Sequence, residues 1–259
     1  MRLQKFLALQ TSNSRRKAEE LIISGFVTVN GQVAKLGTSI DPESDVVAVL
    51  ENVISNKVAL AKTLPLVLLM NKPTGYVCSH ADRYNPTTIF NLIPKEFIRK
   101  KLMFCGRLDK ETEGMLIITD SGNLAQQITH PSFGIRKHYE VTLSRPLPEN
   151  AYRLLLNGIE DAGDFIKFDK IIPIGRGRVK NLVLEIILSQ GKKNEIRRAA
   201  EHFGVFVKKL KRVRMGGLSL RGVAVGKCRK LLEKEIEMLL GKSKSATAQA
   251  FADGGKIYL

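Results

Sequence analysis

The chain has 259 residues, enough for one large domain or two smaller ones with a real core. Apolar residues make up 44%, and no run approaches the roughly 18 uninterrupted apolar residues of a membrane span, so a membrane-spanning helix is excluded. With 42 Lys+Arg against 25 Asp+Glu the net charge is +17; no segment is both strongly basic and amphipathic with aromatic anchors, so nucleic acid leads over anionic membrane as the partner. Met1 runs straight into Arg2 and an amphipathic pattern with no signal-peptide core, which predicts a cytoplasmic protein. Cys78, Cys105 and Cys228 are far apart, no CxxC pair exists and the histidines are scattered. Reduced thiols are expected, not a zinc site or a disulfide framework.

Taken in chain order, Leu3, Phe6, Leu7 and Gln10 have helical spacing. Ser14 can cap a second helix with Ala18, Leu21 and Ile22 inside, and Gly25 can end it. Arg15, Arg16 and Lys17 fill the first turn of that helix, where cations oppose the helix dipole; a phosphate partner explains them better than stability does. Val27 and Val29 alternate, Asn30-Gly31 is a hairpin turn, Val33 begins the return, and Asp45 to Leu50 closes as a strand. Residues 51–64 read as a linker. Leu66–Met70 is a buried strand, followed by a turn over 71–75 and extended chain at Tyr76–Cys78. Thr88–Leu92 is a short helix, Met115–Thr119 a buried strand, Leu124–Ile128 a helix and His138–Leu143 an alternating strand. Leu154–Ile159 reads as helix, Asn181–Leu188 as strand, and Lys193–Phe203 and Arg229–Leu240 as amphipathic helices. Residues 242–259 are rich in Ser, Ala and Gly and read as a flexible tail. Strands and helices interleave without a βαβ repeat. The expected class is α+β: a small helix–helix–hairpin domain with linker over 1–60, then a domain over 61–241 with a mixed, mainly antiparallel sheet.

The charge is clustered. Five cations and no acid precede Glu19, and nine cations stand against Glu195 and Glu201 between Lys192 and Arg214. Two clusters of one sign repel themselves, and a polyanion relieves that cost.

RLQKFLA…SRRKAEELIISGFVTVNGQVAKLGTSI resembles the S4 RNA-binding domain of a ribosomal protein, with the same helix–helix–hairpin order. LMFCGRLDKETEGMLIITDSGNLAQQITHPS resembles the catalytic motif of rRNA pseudouridine synthases of the RsuA/RluB type. NKPTGYVCS before it, RKHYEV after it and GKKNEIRRAAEHFGVFVKKLKRVRMGGLSL downstream match the same family in order and spacing, so the resemblance runs from residue 2 to about 240.

The resemblance implies isomerisation of uridine to pseudouridine in ribosomal RNA. The N1–C1′ bond breaks, the uracil turns, and it rejoins through C5. No atom is gained or lost, so no cofactor and no metal are implied. Asp109 matches the family's catalytic aspartate, a nucleophile on C1′ of the sugar or C6 of the base. A carboxylate that must stay ionised in a pocket excluding water needs a cation beside it, and Arg197 matches the family's residue for that ion pair. Glu195 stands where the family commonly has Gln; its added negative charge weakens the choice of Arg197 over Arg198. Tyr139 matches the tyrosine that stacks on the uracil and can help move the C5 proton. Arg107 matches an arginine that fills the gap left by the flipped base, and Ile196 can form the apolar wall under the uracil.

Lys208, Lys209, Lys211, Arg212 and Arg214, together with Lys72, are read as phosphate contacts, and the S4 module as a second grip on folded RNA. RYNPTTIFNLIP, NEIRR and the extent of the basic C-terminal half look closer to the branch that modifies 23S than 16S rRNA, as free RNA or in an assembly intermediate, with the enzyme a monomer. Two other classes compete. A non-catalytic S4-type RNA-binding protein would not need the Asp, Tyr and Arg constellation. A glycosidase would need a second carboxylate in catalytic geometry, for which Glu111 and Glu113 qualify by type only.

Overall fold

The computed structural model describes residues 1–10, 15–49, 52–54, 65–82, 84–98, 101–177 and 181–241. The chain divides into two compact units, Met1–Leu64 and Pro65–Leu259. The expected cap at Ser14, most of the linker and the C-terminal tail lie outside the described residues.

In the first unit, α1 (Leu3–Gln10) and α2 (Arg15–Ile23) precede β1 (Val27–Val29), β2 (Gln32–Val33), β3 (Val47–Val49) and β4 (Asn52–Ile54), which pair antiparallel in the order β2-β1-β3-β4. The hairpin turns at Asn30 and Gly31, both at positive φ, as an Asn-Gly turn requires. Leu3, Phe6 and Leu7 of α1 and Ala18 and Ile22 of α2 bury with Val27 and Val47 into one small core. Arg15, Arg16 and Lys17 remain exposed on the first turn of α2, Lys17 in an ion pair with Glu20 at 3.0 Å.

The second unit is built on one large sheet. Its strands are β5 (Val67–Lys72), β6 (Met103–Cys105), β7 (Glu113–Thr119), β8 (Lys137–Leu143), β11 (Lys170–Pro173), β12 (Val183–Leu188), β13 (Val207–Met215), β14 (Leu218–Ser219) and β15 (Cys228–Lys230). The order is β11-β12-β8-β13-β7-β5-β15, with β14 on β13 and β6 on β7; β9 (Ile159–Asp161) and β10 (Asp164–Ile166) form a separate hairpin. Every pairing is antiparallel except β13 with β7, so the sheet is mixed and mainly antiparallel, as expected. The helices are α3 (Lys95–Ile98), α4 (Gly122–Thr129), α5 (Glu149–Asn157), α6 (Glu195–His202) and α7 (Glu233–Leu239).

The burial pattern follows the composition. β5 and β7 are near-continuous apolar runs and are covered on both sides: Leu68, Met70, Leu116 and Ile118 join one core cluster, Val67, Leu69, Met115 and Ile117 another. β8 alternates; Lys137, Tyr139, Val141 and Leu143 face inward.

Several elements differ from the sequence reading, and residues 52–54, read as linker, form β4 against β3. The helix expected at 154–159 begins earlier, at Glu149, and stops at Gly158, whose φ of 108 turns the chain into β9. Arg229 and Lys230 belong to β15, paired with β5, and helix resumes only at Glu233. The basic stretch 208–214, read as phosphate contacts, lies within β13 in the middle of the sheet, where Lys208, Lys209 and Arg214 stay exposed and Arg212 is buried.

Candidate active site

Asp109 lies in the loop that leaves β6 and enters β7. Gly106, at φ 74, turns the chain out of β6. Leu108 is buried and plugs the loop into the core, its N–H donating to Cys78 Sγ at 3.4 Å. From the end of β5, Lys72 reaches under the loop. Its Nζ donates to the carbonyls of Pro73 at 3.1 Å, Asp109 at 3.0 Å, Lys110 at 3.2 Å and Thr112 at 2.7 Å. Further bonds brace the loop: Thr112 N–H to the Asp109 carbonyl at 3.0 Å, Gly75 N–H to the Lys110 carbonyl at 2.9 Å, and Lys110 Nζ to Asn85 Oδ1 at 3.0 Å. The backbone is tied down from within, while the side chains of Arg107 and Asp109 stay exposed.

Lys72 is therefore not a phosphate contact. It is fully enclosed, and burial pulls its ammonium down to about 8, with Cys78, Asp109 and Glu111 opposing that shift.

Asp109, Arg107 and Thr112 line a cavity of about 330 Å³ with Tyr139, Lys137, Arg212, Glu195, Ile196 and the loop Gly191–Asn194. That volume is in the range of small-ligand pockets. Tyr139, 8% exposed, sits opposite Arg212 in the β8–β13 register, and Arg212 in turn sits opposite Gly114 of β7. Arg212 is 2% exposed, which rules out the expected phosphate contact. Its Nε donates to the Met115 carbonyl at 2.8 Å and its Nη1 to Tyr139 Oη at 3.4 Å. Nη2 is buried without a partner.

Arg197 and Arg198 leave α6 in different directions. Arg197, half-buried, donates to the carbonyls of Val207 at 3.1 Å and Glu111 at 3.3 Å. It braces the far end of the Asp109 loop and does not line the cavity; among the described residues no salt bridge joins it to Asp109. Arg198 pairs with Asp161 and Asp164, both at 2.6 Å, and bonds the Asp161 carbonyl, pinning the β9–β10 hairpin to α6.

Two lining residues, Lys137 and Glu195, were assigned no role in the cavity from the sequence. Lys137 is 8% exposed, and among the described residues its Nζ bonds only the carbonyls of Ile135, Ser189 and Gln190, at 3.3–3.4 Å. Burial lowers its pKa, Arg212 adds to the drop, and Glu195 opposes it. Glu195 is 4% exposed; burial raises its pKa, its Oε2 accepts the Lys192 N–H at 3.1 Å, and its Oε1 has no partner. The available signal was spacing: Lys137 stands two residues before Tyr139 on a strand, hence on the same face. Lys208 and Lys209 are exposed, the latter paired with Glu113 at 3.2 Å. Among the described residues no helix is long and apolar enough to cross a membrane.

A carboxylate at the mouth, a tyrosine on the wall and a buried guanidinium beneath it suit nucleophilic attack on a planar base. Comparison with known proteins agrees. A family model described as RNA pseudouridylate synthase matches residues 66–202, and one described as S4 domain matches residues 1–47. The chain is 37% identical over 220 residues to "Ribosomal large subunit pseudouridine synthase B" of Vibrio vulnificus, spanning 85% of this chain and 68% of that one. It is 33% identical over 238 residues to "Dual-specificity RNA pseudouridine synthase RluF" of Escherichia coli, spanning 91% and 77%. A crystal structure of a pseudouridylate synthase superimposes with a TM-score of 0.65 at 27% identity, covering 92% of this chain and 99% of that one. The chain belongs to the RNA pseudouridylate synthase family and carries an S4 domain ahead of its catalytic unit.

Proposed function

We propose that the protein isomerises a uridine of large-subunit ribosomal RNA to pseudouridine, with Asp109 as the nucleophile. The observation that carries this reading is the cavity shared by Tyr139 of β8 and Asp109, the latter on a loop whose carbonyls are held by Lys72. A target uridine swings out of its helix and its uracil enters the cavity, with Arg107 at the mouth filling the vacated stack. Asp109 attacks, the N1–C1′ bond breaks, the base turns, and C5 joins C1′. The C5 proton leaves to solvent and N1 gains one, so the reaction balances without an added reagent. Tyr139 packs against the base and Ile196 forms the apolar floor. Arg15, Arg16 and Lys17 of the S4 unit, with exposed Lys208 and Lys209, hold phosphates and supply affinity more than sequence choice. The protein acts as a cytoplasmic monomer.

The large-subunit preference rests on the relatives: the Vibrio vulnificus protein is named for that subunit. Carbodiimide mapping of pseudouridines in 23S and 16S rRNA from a deletion strain tests it. One 23S site is expected to vanish and to return with a plasmid copy of the wild type. Loss of a 16S site instead overturns the preference, and no loss in either RNA overturns the rRNA substrate.

A further inference from the structure

We infer that Tyr84 is a stacking platform for an unpaired RNA base that flanks the target uridine. The inference rests on the proposed function for the identity of that uridine. Tyr84 is 85% exposed, the most open large apolar side chain among the described residues. Its ring and hydroxyl have no partner among them. Single exposed apolar residues are common on protein surfaces, so exposure alone assigns nothing. Two features set Tyr84 apart: a backbone held fast beneath the open ring, and a direct tie from its loop to the loop of Asp109.

The segment between β5 and the short helix at Ile89–Leu92 closes on itself. Val77 N–H donates to the Thr87 carbonyl at 3.1 Å, and Ile89 N–H to the Val77 carbonyl at 3.0 Å. Ile89 is fully buried and His80 stacks on Phe90 with ring centroids 4.3 Å apart, which anchors the base of the loop in the core. At the tip, Asp82 Oδ1 accepts the N–H of Tyr84 at 2.9 Å, the N–H of Asn85 at 2.7 Å and Asn85 Nδ2 at 3.2 Å. Asn85 Oδ1 in turn accepts Lys110 Nζ at 3.0 Å. Lys110 follows Asp109, and its own carbonyl is held by Lys72 and by the Gly75 N–H. The Tyr84 loop is thus joined to the loop that carries the nucleophile. An RNA strand that delivers a uridine to Asp109 crosses this surface, where the exposed cation of Lys110 suits its phosphates. The nucleotide next in line meets the phenol. A tyrosine offers a flat apolar face, and every base has a π-face to lay on it. Only a base splayed out of its helix can do so, which makes the flanking nucleotide unpaired and puts the target in a loop or bulge.

The test compares the full-length wild type with Tyr84→Phe and Tyr84→Ala. Because the ring is open to solvent, both variants are expected to melt with the wild type. Kd is measured for deproteinised 23S and 16S rRNA over a range of salt. Tyr84→Ala is expected to bind the RNA that the enzyme modifies about 10-fold more weakly, the size of effect that follows loss of one base–aromatic stack. Tyr84→Phe keeps the ring and is expected to stay within about twofold of the wild type. Plots of log Kd against log salt are expected to run parallel for the three proteins, because no ionic contact has been removed. On a short blunt RNA duplex, which presents no unpaired internal base, all three are expected to bind alike. Affinity of Tyr84→Ala within about twofold of the wild type on both ribosomal RNAs overturns the inference. So does an equal loss in Tyr84→Phe, as for a bond through the hydroxyl, or an equal loss on the duplex, as for a backbone contact. A wild type that releases no tritium from 5-tritiated uridine, while the affinities keep the expected order, counts against the proposed reaction and leaves the Tyr84 platform standing.

Discussion

Lys72→Met is expected to lower kcat by about 100-fold or more and to reduce stability by about 3 kcal/mol, with little change in KM for RNA. The substitution keeps the side chain's length and removes its donors. The carbonyls of Pro73, Asp109, Lys110 and Thr112 lose a shared partner at once. Each buried acceptor left unpaired costs ~1–3 kcal/mol, and removing a desolvated ammonium returns part of the sum. The kinetic effect follows from the same bonds. They set the height of the Asp109 backbone, and displacing a reacting group by about 1 Å can cost on the order of 100-fold. A melting curve beside a steady-state assay checks both; at ~2–4 °C per kcal/mol for a unit of this size, the melting temperature should drop by roughly 5–10 °C. An unchanged kcat with RNA affinity lost would return Lys72 to the phosphate role.

Gly114→Ala is expected to be strongly damaging to the catalytic unit. A Cβ at this position would lie 2.3 Å from the Arg212 carbonyl oxygen and 2.8 Å from its nitrogen, both backbone atoms that cannot rotate away. Its φ of 108 is also one that side-chain-bearing residues rarely adopt. Overpacking and backbone strain of ~1–3 kcal/mol each combine to about 4 kcal/mol, a fall in melting temperature of about 10 °C. The site responds too, because Gly114 is where β13 lies parallel and close to β7, bringing Arg212 to Tyr139. Thermal melting of the purified variant checks the magnitude. A loss under about 1 kcal/mol would mean that the two strands part easily and do not fix the site.

Both predictions concern residues whose roles the sequence reading did not reach, for a common physical reason. The Asn30-Gly31 turn, the buried strand at Met115–Thr119 and the glycine-flanked loop around Asp109 are written in local terms, and each stands where local terms put it. Lys72 and Arg212 are defined by partners far along the chain. The carbonyls on Lys72 come from up to 40 residues away, and the phenol beside Arg212 comes from 73 residues away. In isolation, a lysine after an apolar strand and an arginine among five cations read as solvated groups. β13 shows the same effect. Its inward positions are Leu210, Arg212 and Met215, so the alternation is present but carried in part by a charged residue, and composition masked it. Arg229 and Lys230 read as helix by periodicity, but pairing with β5 overrides that preference. The Asp109–Arg197 ion pair was legible only through family resemblance. The structure gives Arg197 to the carbonyls of Val207 and Glu111, and the buried cation beside Tyr139 is Arg212.

In the proposed reaction one carboxylate, that of Asp109, performs the chemistry in the Tyr139 cavity. Release of tritium to water from rRNA carrying 5-tritiated uridine, under single turnover by the wild type and by Asp109→Asn, tests it most directly. Because the Asp109 side chain is exposed, the variant should fold and bind RNA as the wild type does. Tritium release by the wild type, slowed on the order of 1,000-fold or more in Asp109→Asn at equal RNA binding, is the predicted result. Release by Asp109→Asn within about threefold of the wild type would remove Asp109 from the chemistry, and none from the wild type on either ribosomal RNA would remove the proposed reaction.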